Sequence, residues 1–254
     1  MVSDLLLEKL TIRHCGMYLS EDKLQIASVK IMNGSNVTVR NVIIENGTGT
    51  GLSLVNVGGN VTVENCTFCH NKYRVNQMYR VLNVSHNDFV QRGGGMQIFM
   101  GNSLKPLNHS KYLITNCQFL ANYASSGGAL FIVIENTAAH NQILVETSKF
   151  FDNKCENGGG ALQVGYATSL NQPFLQDVTH NSICFKCCEF NENRASYGGG
   201  TAVFSSLKQH GLANQNEIVF NNCLWTNNKA DKLGIAVNVA LLPWETFTMN
   251  THFV

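Results

Sequence analysis

One short motif recurs along this chain: an apolar run, then Asn-Cys-x-Phe-x-x-Asn, then a Gly-Gly pair and a second apolar run. Two copies lie at residues 65–71 and 116–122, and a Cys-Cys variant lies at 187–193. A string that recurs at intervals of a few dozen residues is typical of a solenoid in which each copy is one structural unit. We therefore predict one continuous repeat domain over residues 1–254.

Two columns of apolar residues emerge when the copies are aligned, because apolar and polar residues alternate with a period of two, as in β-strands. If successive copies stack at the roughly 4.8 Å spacing of paired strands, like residues lie above one another. We expect the cysteine and aromatic positions to point inward as small and large core residues. The predicted columns are Cys66, Cys117, Cys188 and Cys223, and Phe68, Phe119, Phe150, Phe190 and Trp225.

The two asparagines of the motif predict two corners of each coil. We expect the first to be buried and to bond to the corner backbone and to the amides above and below. We expect the second to mark a tight or left-handed backbone conformation, which asparagine tolerates. The Gly-Gly pairs then serve a third corner, where a Cβ does not fit. The predicted columns are Asn65, Asn116 and Asn222, and Asn71, Asn122, Asn153, Asn193 and Asn228.

Three corners and three short strands per coil describe an all-β fold, the right-handed parallel β-helix. The interval from Asn41 to Asn65 shows that about two dozen residues suffice for one coil. Longer intervals therefore carry insertions, which we place at about 73–92, 101–110, 165–181 and 205–216. The last three follow the Gly-Gly strand, so we expect them to cluster along one edge, where repeat proteins carry binding loops.

The motif resembles the repeat signature of the chlamydial polymorphic outer membrane proteins, in which Phe-x-x-Asn is paired with Gly-Gly-Ala-[Ile/Leu/Val]. It is also similar to Asn-Cys-x-Phe-x-x-Asn repeats in large extracellular β-helix proteins of animals. The resemblance implies the β-helix fold and a surface or secreted setting, and in the bacterial family the β-helix serves adhesion. The matching residues are Phe68 with Asn71, Phe119 with Asn122, Phe150 with Asn153 and Phe190 with Asn193, and the glycine pairs at 94–95, 127–128 and 159–160.

The composition excludes several classes of partner. The formal net charge is +1 and only 14% of residues are charged, so no basic field favours nucleic acid or an anionic membrane. No apolar run reaches the roughly 18 residues of a transmembrane segment, and residues 1–9 lack the pattern of a signal peptide. Because residues 9–15 already resemble a strand and corner of a coil, we expect the chain to be a fragment of a longer protein.

Asn-x-Ser/Thr sequons are concentrated in the first half of the chain and favour an extracellular or cell-surface location. A further sequon begins at Asn65, whose corner we expect to be buried. The predicted glycosylation sites are Asn33, Asn36, Asn46, Asn60, Asn83 and Asn108.

The carboxylate residues that a catalytic site would require are scattered along the repeat. The six aspartates occupy unrelated positions in the repeat, whereas a polysaccharide hydrolase or lyase needs carboxylates that converge on one face. The best carboxylate set is Glu64, Glu146 and Glu189, which we interpret as a solvated face. The sequence predicts no catalytic residue and no cofactor.

The nine cysteines leave several states open. Pairs such as Cys66 with Cys69 and Cys184 with Cys187 have a spacing seen in zinc sites, but their register points them in different directions. Disulfides between neighbouring coils, Cys66 with Cys117 or Cys188 with Cys223, are the second alternative. We favour a column of buried free thiols and predict no metal site.

The sequence therefore favours a non-catalytic extracellular scaffold or adhesion module that binds a protein or glycan through loops on one edge. The alternative is a divergent carbohydrate-active enzyme on the same fold, of the polysaccharide lyase or glycoside hydrolase type. A spacer without any ligand is the third reading. Neither the ligand nor the full-length context follows from the residues.

Overall fold

The computed structural model describes residues 3–15, 27–72, 92–101, 106–135, 138–167, 178–206, 213–240 and 246–253. Within these residues the regular secondary structure consists of β-strands alone, and every strand pairing is parallel. The chain coils through three main faces, each of which forms a ladder along the length of the solenoid. The predicted parallel β-helix is confirmed.

Faces 1 and 2 are the two halves of one bent 14-stranded sheet. The ten-residue strand β26 crosses the bend and belongs to both. Face 1 contains β1 (Ser3–Glu8), β4 (Ser35–Arg40), β7 (Gly58–Glu64), β11 (Lys111–Thr115), β16 (Gln142–Glu146), β21 (Ser182–Lys186) and β26 (Glu217–Thr226), and β29 (Thr246–Phe253) pairs with β26. Face 2 contains β2 (Thr11–Arg13), β5 (Ile43–Glu45), β8 (Thr67–Cys69), β12 (Gln118–Leu120), β17 (Lys149–Phe151) and β22 (Glu189–Asn191).

Face 3 is a seven-stranded sheet. Its strands are β3 (Ala27–Met32), β6 (Thr50–Val55), β9 (Met96–Met100), β14 (Leu130–Glu135), β19 (Leu162–Ala167), β24 (Thr201–Ser206) and β28 (Val237–Ala240). The glycine pairs precede these strands. A Cβ on Gly128 would lie only 2.0 Å from the carbonyl oxygen of Gly160 in the next coil, so this corner has room only for glycine.

Two short ladders of four strands each lie at the corners and add to the three strands per coil that the motif predicts. The ladder between faces 2 and 3 contains β13 (Tyr123–Ala124), β18 (Lys154–Cys155), β23 (Arg194–Tyr197) and β27 (Lys229–Leu233). The ladder between faces 3 and 1 contains β10 (Leu107–Asn108), β15 (Ala138–Ala139), β20 (Val178–Thr179) and β25 (Ala213–Asn214). A complete coil such as β11 to β15 therefore has five strand segments.

Stacked aromatic rings form the centre of the core. The rings of Phe68, Phe119, Phe150, Phe190 and Trp225 are each at most 1% exposed. Successive ring centroids in this column lie 5.0, 4.7, 4.8 and 4.9 Å apart. The rings follow the strand spacing because each sits at the same position of consecutive rungs in face 2.

The two asparagine columns have the opposite roles to those predicted. Asn65, Asn116 and Asn222 are exposed, and their φ angles of 51–52° place them in the left-handed region. The prediction that Asn65 is buried is therefore wrong. The reason is that the chain turns sharply between faces 1 and 2, and this turn requires a left-handed residue at the surface rather than a buried amide.

The second column is instead a buried ladder of amides. Asn71, Asn122, Asn153 and Asn193 are at most 1% exposed, and Asn228 is 6% exposed. Asn122 illustrates the pattern: its Oδ1 accepts from the backbone N–H and the Nδ2 of Asn71, both at 3.1 Å. Its Nδ2 donates to the carbonyl of Phe68 at 2.8 Å and to Oδ1 of Asn153 at 3.0 Å. The left-handed residue at this corner is the one before each asparagine, such as Ala121 with φ 51°.

Candidate functional site

The outward side of face 1 carries a mostly uncharged surface along its central column. Strand residues alternate between core and surface, so the residues between the buried positions of each strand face outward. Consecutive rungs align Thr62, Leu113, Leu144, Cys184 and Val219 in this column, and each is half-buried. The column gives the face an apolar centre.

A shallow groove of about 530 Å³ follows this surface across four rungs, from β7 to β21. Its apolar centre is formed by Leu113 and Leu144, while amides, hydroxyls and one ammonium group lie on its rim. The outward side chains that line it are Asn60, Thr62, Lys111, Leu113, Gln142, Leu144, Ser182 and Cys184. Such a surface can donate and accept hydrogen bonds once per rung along an extended ligand.

A column of histidines runs along the edge of the molecule beside the groove. His109, His140 and His180 are exposed, have φ angles of 56–57°, and each precedes the first groove residue of its rung by two positions. Their rings stack with centroids 5.0 and 4.6 Å apart. The sequence analysis missed this column, because the His-Asn dipeptide also occurs at residues 70–71 on another corner and so does not mark it.

A second buried amide ladder, also missed, supports the histidines. Asn141, Asn181 and Asn216 are at most 1% exposed. The backbone N–H of Ser110 donates to Oδ1 of Asn141, and that of Asn141 donates to Oδ1 of Asn181, both at 3.0 Å. Each of these three histidines is therefore followed by a residue whose backbone N–H donates to an asparagine of the next rung.

All nine cysteines are free thiols in this structure. Cys66, Cys117, Cys188 and Cys223 are buried in one column, and the Sγ atom of each donates to the carbonyl two residues earlier. A hydrogen bond with the neighbouring Cys66 thiol, together with burial, raises the pKa of Cys117. The four thiols fill core space and are shielded from solvent.

The cysteine pairs considered for zinc do not converge. Cys66 and Cys188 point into the core, whereas Cys184 is half-buried on the outside of face 1 and Cys187 is exposed at a corner. Burial is also the main reason that the pKa of Cys69 is raised to about 11. Within the described ranges, no group of three or more His, Cys, Asp or Glu side chains could hold one metal ion.

The three glutamates do not share a face, contrary to expectation. Glu64 and Glu146 lie in one outward column of face 1, separated by Thr115. Glu189 lies on face 2, where its carboxylate pairs with Lys149 Nζ at 3.3 Å. The chain bends between the two strands, and a bend changes the direction of every side chain that follows.

The sequon asparagines in the described residues are all exposed, so an attached oligosaccharide would meet solvent. They are Asn33, Asn36, Asn46, Asn60, Asn65 and Asn108, while Asn83 lies outside the described residues. The predicted insertion 73–92 lies almost wholly outside them, and the other three lie partly outside.

One family model matches the chain. Residues 2–110 match the family described as the right-handed beta helix region. No curated protein and no solved structure matches at a significant level. The part of the chain that the structure describes contains no helix long and apolar enough to cross a membrane. The match over residues 2–110 and the stacked parallel ladders show that this chain folds as a right-handed parallel β-helix of repeated coils.

Proposed function

We propose that this protein is a non-catalytic extracellular scaffold that binds its ligand along the groove of face 1 and the edge beside it. The observation that supports this most is the groove itself, in which polar side chains recur once per rung beside an apolar centre. A repeat protein offers an extended ligand the same kind of contact at every rung.

The lining favours a glycan over a charged peptide. Gln142 and Ser182 are uncharged hydrogen-bonding groups at the same position of their rungs, and Lys111 is the one charged member of this set. They repeat at the strand spacing of about 4.8 Å, which is close to the length of one sugar unit in an extended polysaccharide. Leu113 and Leu144 can pack against the apolar face of a sugar ring.

The edge between faces 3 and 1 supports a role for loops in binding. Three predicted insertions begin where face 3 strands end at this one edge: Gly101 directly follows β9, and Ala167 and Ser206 are the last residues of β19 and β24. Binding sites of repeat proteins concentrate where insertions leave the scaffold. Exposure of the sequon asparagines supports the extracellular location.

An enzyme remains the second candidate because of Glu64 and Glu146. Their strands are two rungs apart, about 9.6 Å, close to the upper limit of the carboxyl separation in inverting glycosidases. Both point outward, and each follows the central residue of its strand, Thr62 or Leu144, by two positions. A turnover assay on the ligands found tests whether the two carboxylates act as a catalytic pair.

The test is a glycan array with the purified chain, followed by titration of any ligand found. Leu144→Lys should lower the affinity at least tenfold, because it places a charge at the centre of the groove. Leu120→Lys is the matched control, since Leu120 is also a half-buried outward leucine but lies on face 2. Equal affinities for the two variants would contradict the proposed site.

The proposal that the protein is not an enzyme is tested by incubating it with the same ligands and measuring newly formed reducing ends and unsaturated uronates. No turnover is expected. Reproducible turnover that is lost in Glu64→Gln or Glu146→Gln would establish the enzyme instead. If the array finds no glycan, the same chain is tested on an array of extracellular proteins. Binding there that Leu144→Lys weakens would assign the groove to a protein ligand.

A further inference from the structure

The stacked histidines form a candidate ligand site of a different kind from the groove. We propose that His109, His140 and His180 bind a divalent transition-metal ion between two neighbouring imidazoles, with water completing the coordination. Imidazole is the commonest protein ligand for such metals and suits zinc, nickel and copper.

The backbone holds the histidines in the required arrangement before any ion arrives. The N–H of His109 donates to the carbonyl of Ala139 at 3.2 Å, and that of His140 donates to Thr179 at 3.1 Å. The following residues are joined by the buried amide ladder at 3.0 Å. These bonds hold the three Cα atoms at consecutive rungs, so the imidazoles project from fixed points about 4.8 Å apart.

The distances suit a bridging ion. Neighbouring rings lie nearly parallel, with interplanar angles of 7° and 19° and centroids 5.0 and 4.6 Å apart. Two nitrogen ligands of a tetrahedral zinc ion lie roughly 3.4 Å apart, given Zn–N bonds of about 2.1 Å. Because an imidazole lone pair lies in the plane of its ring, both rings of a pair must turn out of the stack toward the ion, and their exposure leaves room for this rotation.

The register also determines how the three histidines share an ion. His109 and His180 are two rungs apart, about 9.6 Å, so only neighbours can bind the same ion. His140 belongs to both possible pairs. It is therefore the member that binding depends on, and either outer histidine can be lost as long as the other remains.

The experiment is calorimetric titration of the untagged protein with Ni²⁺, repeated with Zn²⁺. His140→Asn should lower the affinity at least tenfold, since it leaves no adjacent pair, and each of His109→Asn and His180→Asn should lower it only about twofold. Asparagine is used because it tolerates the left-handed backbone. His70→Asn is the matched control: His70 is an exposed left-handed corner residue with φ 54° whose neighbours in the next rungs are Asn46 and Ala121, and its loss should change nothing.

The double variant His109→Asn/His180→Asn leaves His140 alone and should lose as much affinity as His140→Asn. The test therefore does not depend on His140→Asn being stably folded, because the double variant removes both histidine pairs without changing His140. Equal losses for all three single variants would show independent binding by separate imidazoles and overturn the proposal. Unchanged Ni²⁺ affinity in His140→Asn, or no Ni²⁺ binding by the native chain, would overturn it as well.

Discussion

Two corners of the same coil are built with asparagine for different physical reasons. At the corner between faces 1 and 2, Asn116 is exposed and has φ 52°, so the residue serves the backbone. At the corner six residues later, Asn122 is 1% exposed and its side chain makes hydrogen bonds to two rungs. The same residue type thus supplies a conformation in one place and a set of donors and acceptors in the other.

The two corners therefore accept different substitutions. A left-handed position accepts any residue that tolerates positive φ, and this corner indeed also holds His14, Thr147 and Cys187. A buried amide has no substitute of the same shape that both donates and accepts at the same points. The described asparagines of the buried column are accordingly uninterrupted from Asn71 to Asn228.

The largest expected effect is at Phe119, which lies on β12 between the two corners. Phe119→Ala should lower the free energy of unfolding by about 3–5 kcal/mol, because it opens a gap between the rings of Phe68 and Phe150. Chemical denaturation measures this value and sets the scale for the corners. An unchanged midpoint would show that the aromatic column does not stabilise the coil.

Asn122→Ala comes next and tests the buried corner. It should cost about 3 kcal/mol, because it leaves the backbone N–H of Asn71, the carbonyl of Phe68 and Oδ1 of Asn153 without these partners. Asn122→Gly should be at least as destabilising, since glycine restores none of the bonds. A loss below about 1 kcal/mol would show that water replaces the amide.

Asn116→Ala is the matched change at the exposed corner of the same rung. It should cost only about 1 kcal/mol, the penalty of a left-handed conformation for alanine. Asn116→Gly should be nearly neutral, because glycine adopts positive φ readily. The comparison of the two corners fails if glycine is tolerated equally well at residues 116 and 122.

Thr147→Asn should give the smallest change, and in the stabilising direction. Thr147 has φ 49°, an unfavourable conformation for a β-branched residue, so asparagine should raise the free energy of unfolding by about 0.5–1 kcal/mol. Thr115→Asn is the control on a neighbouring strand, where asparagine fits less well and should destabilise slightly. Thermal melts of the two variants should therefore shift in opposite directions.

Much of the fold could be predicted because the coil repeats its chemistry. The positions of the inward Phe and Cys residues follow from the period of two, and the glycine corner follows from the recurring pair. The role of each asparagine could not be predicted, because both asparagines of the motif lie at turns. The motif does not indicate whether the residue is needed for a positive φ angle or for the hydrogen bonds of its side chain. The left-handed residues before the buried asparagines, such as Ala121 and Asp152, carry no common residue type that would have revealed the turn.

The candidate site was less predictable than the fold. The groove depends on outward residues of face 1 that differ from rung to rung, so no motif marks them. Glu189 could be placed only once the bend between faces 1 and 2 was known. The histidines are separated by 31 and 40 residues, the spacings of the asparagine ladder beneath them, and unequal spacings hide a column from a search for a fixed period.

The repeated motif is enough to predict that this chain coils into a parallel β-helix with an aromatic core, because alternation and stacking act on every copy. Which asparagines are buried, which outward side chains line the groove and which histidines stack became known only from the folded chain. These features depend on register, since parallel pairing places residues from different coils about 4.8 Å apart regardless of how many residues lie between them in the chain.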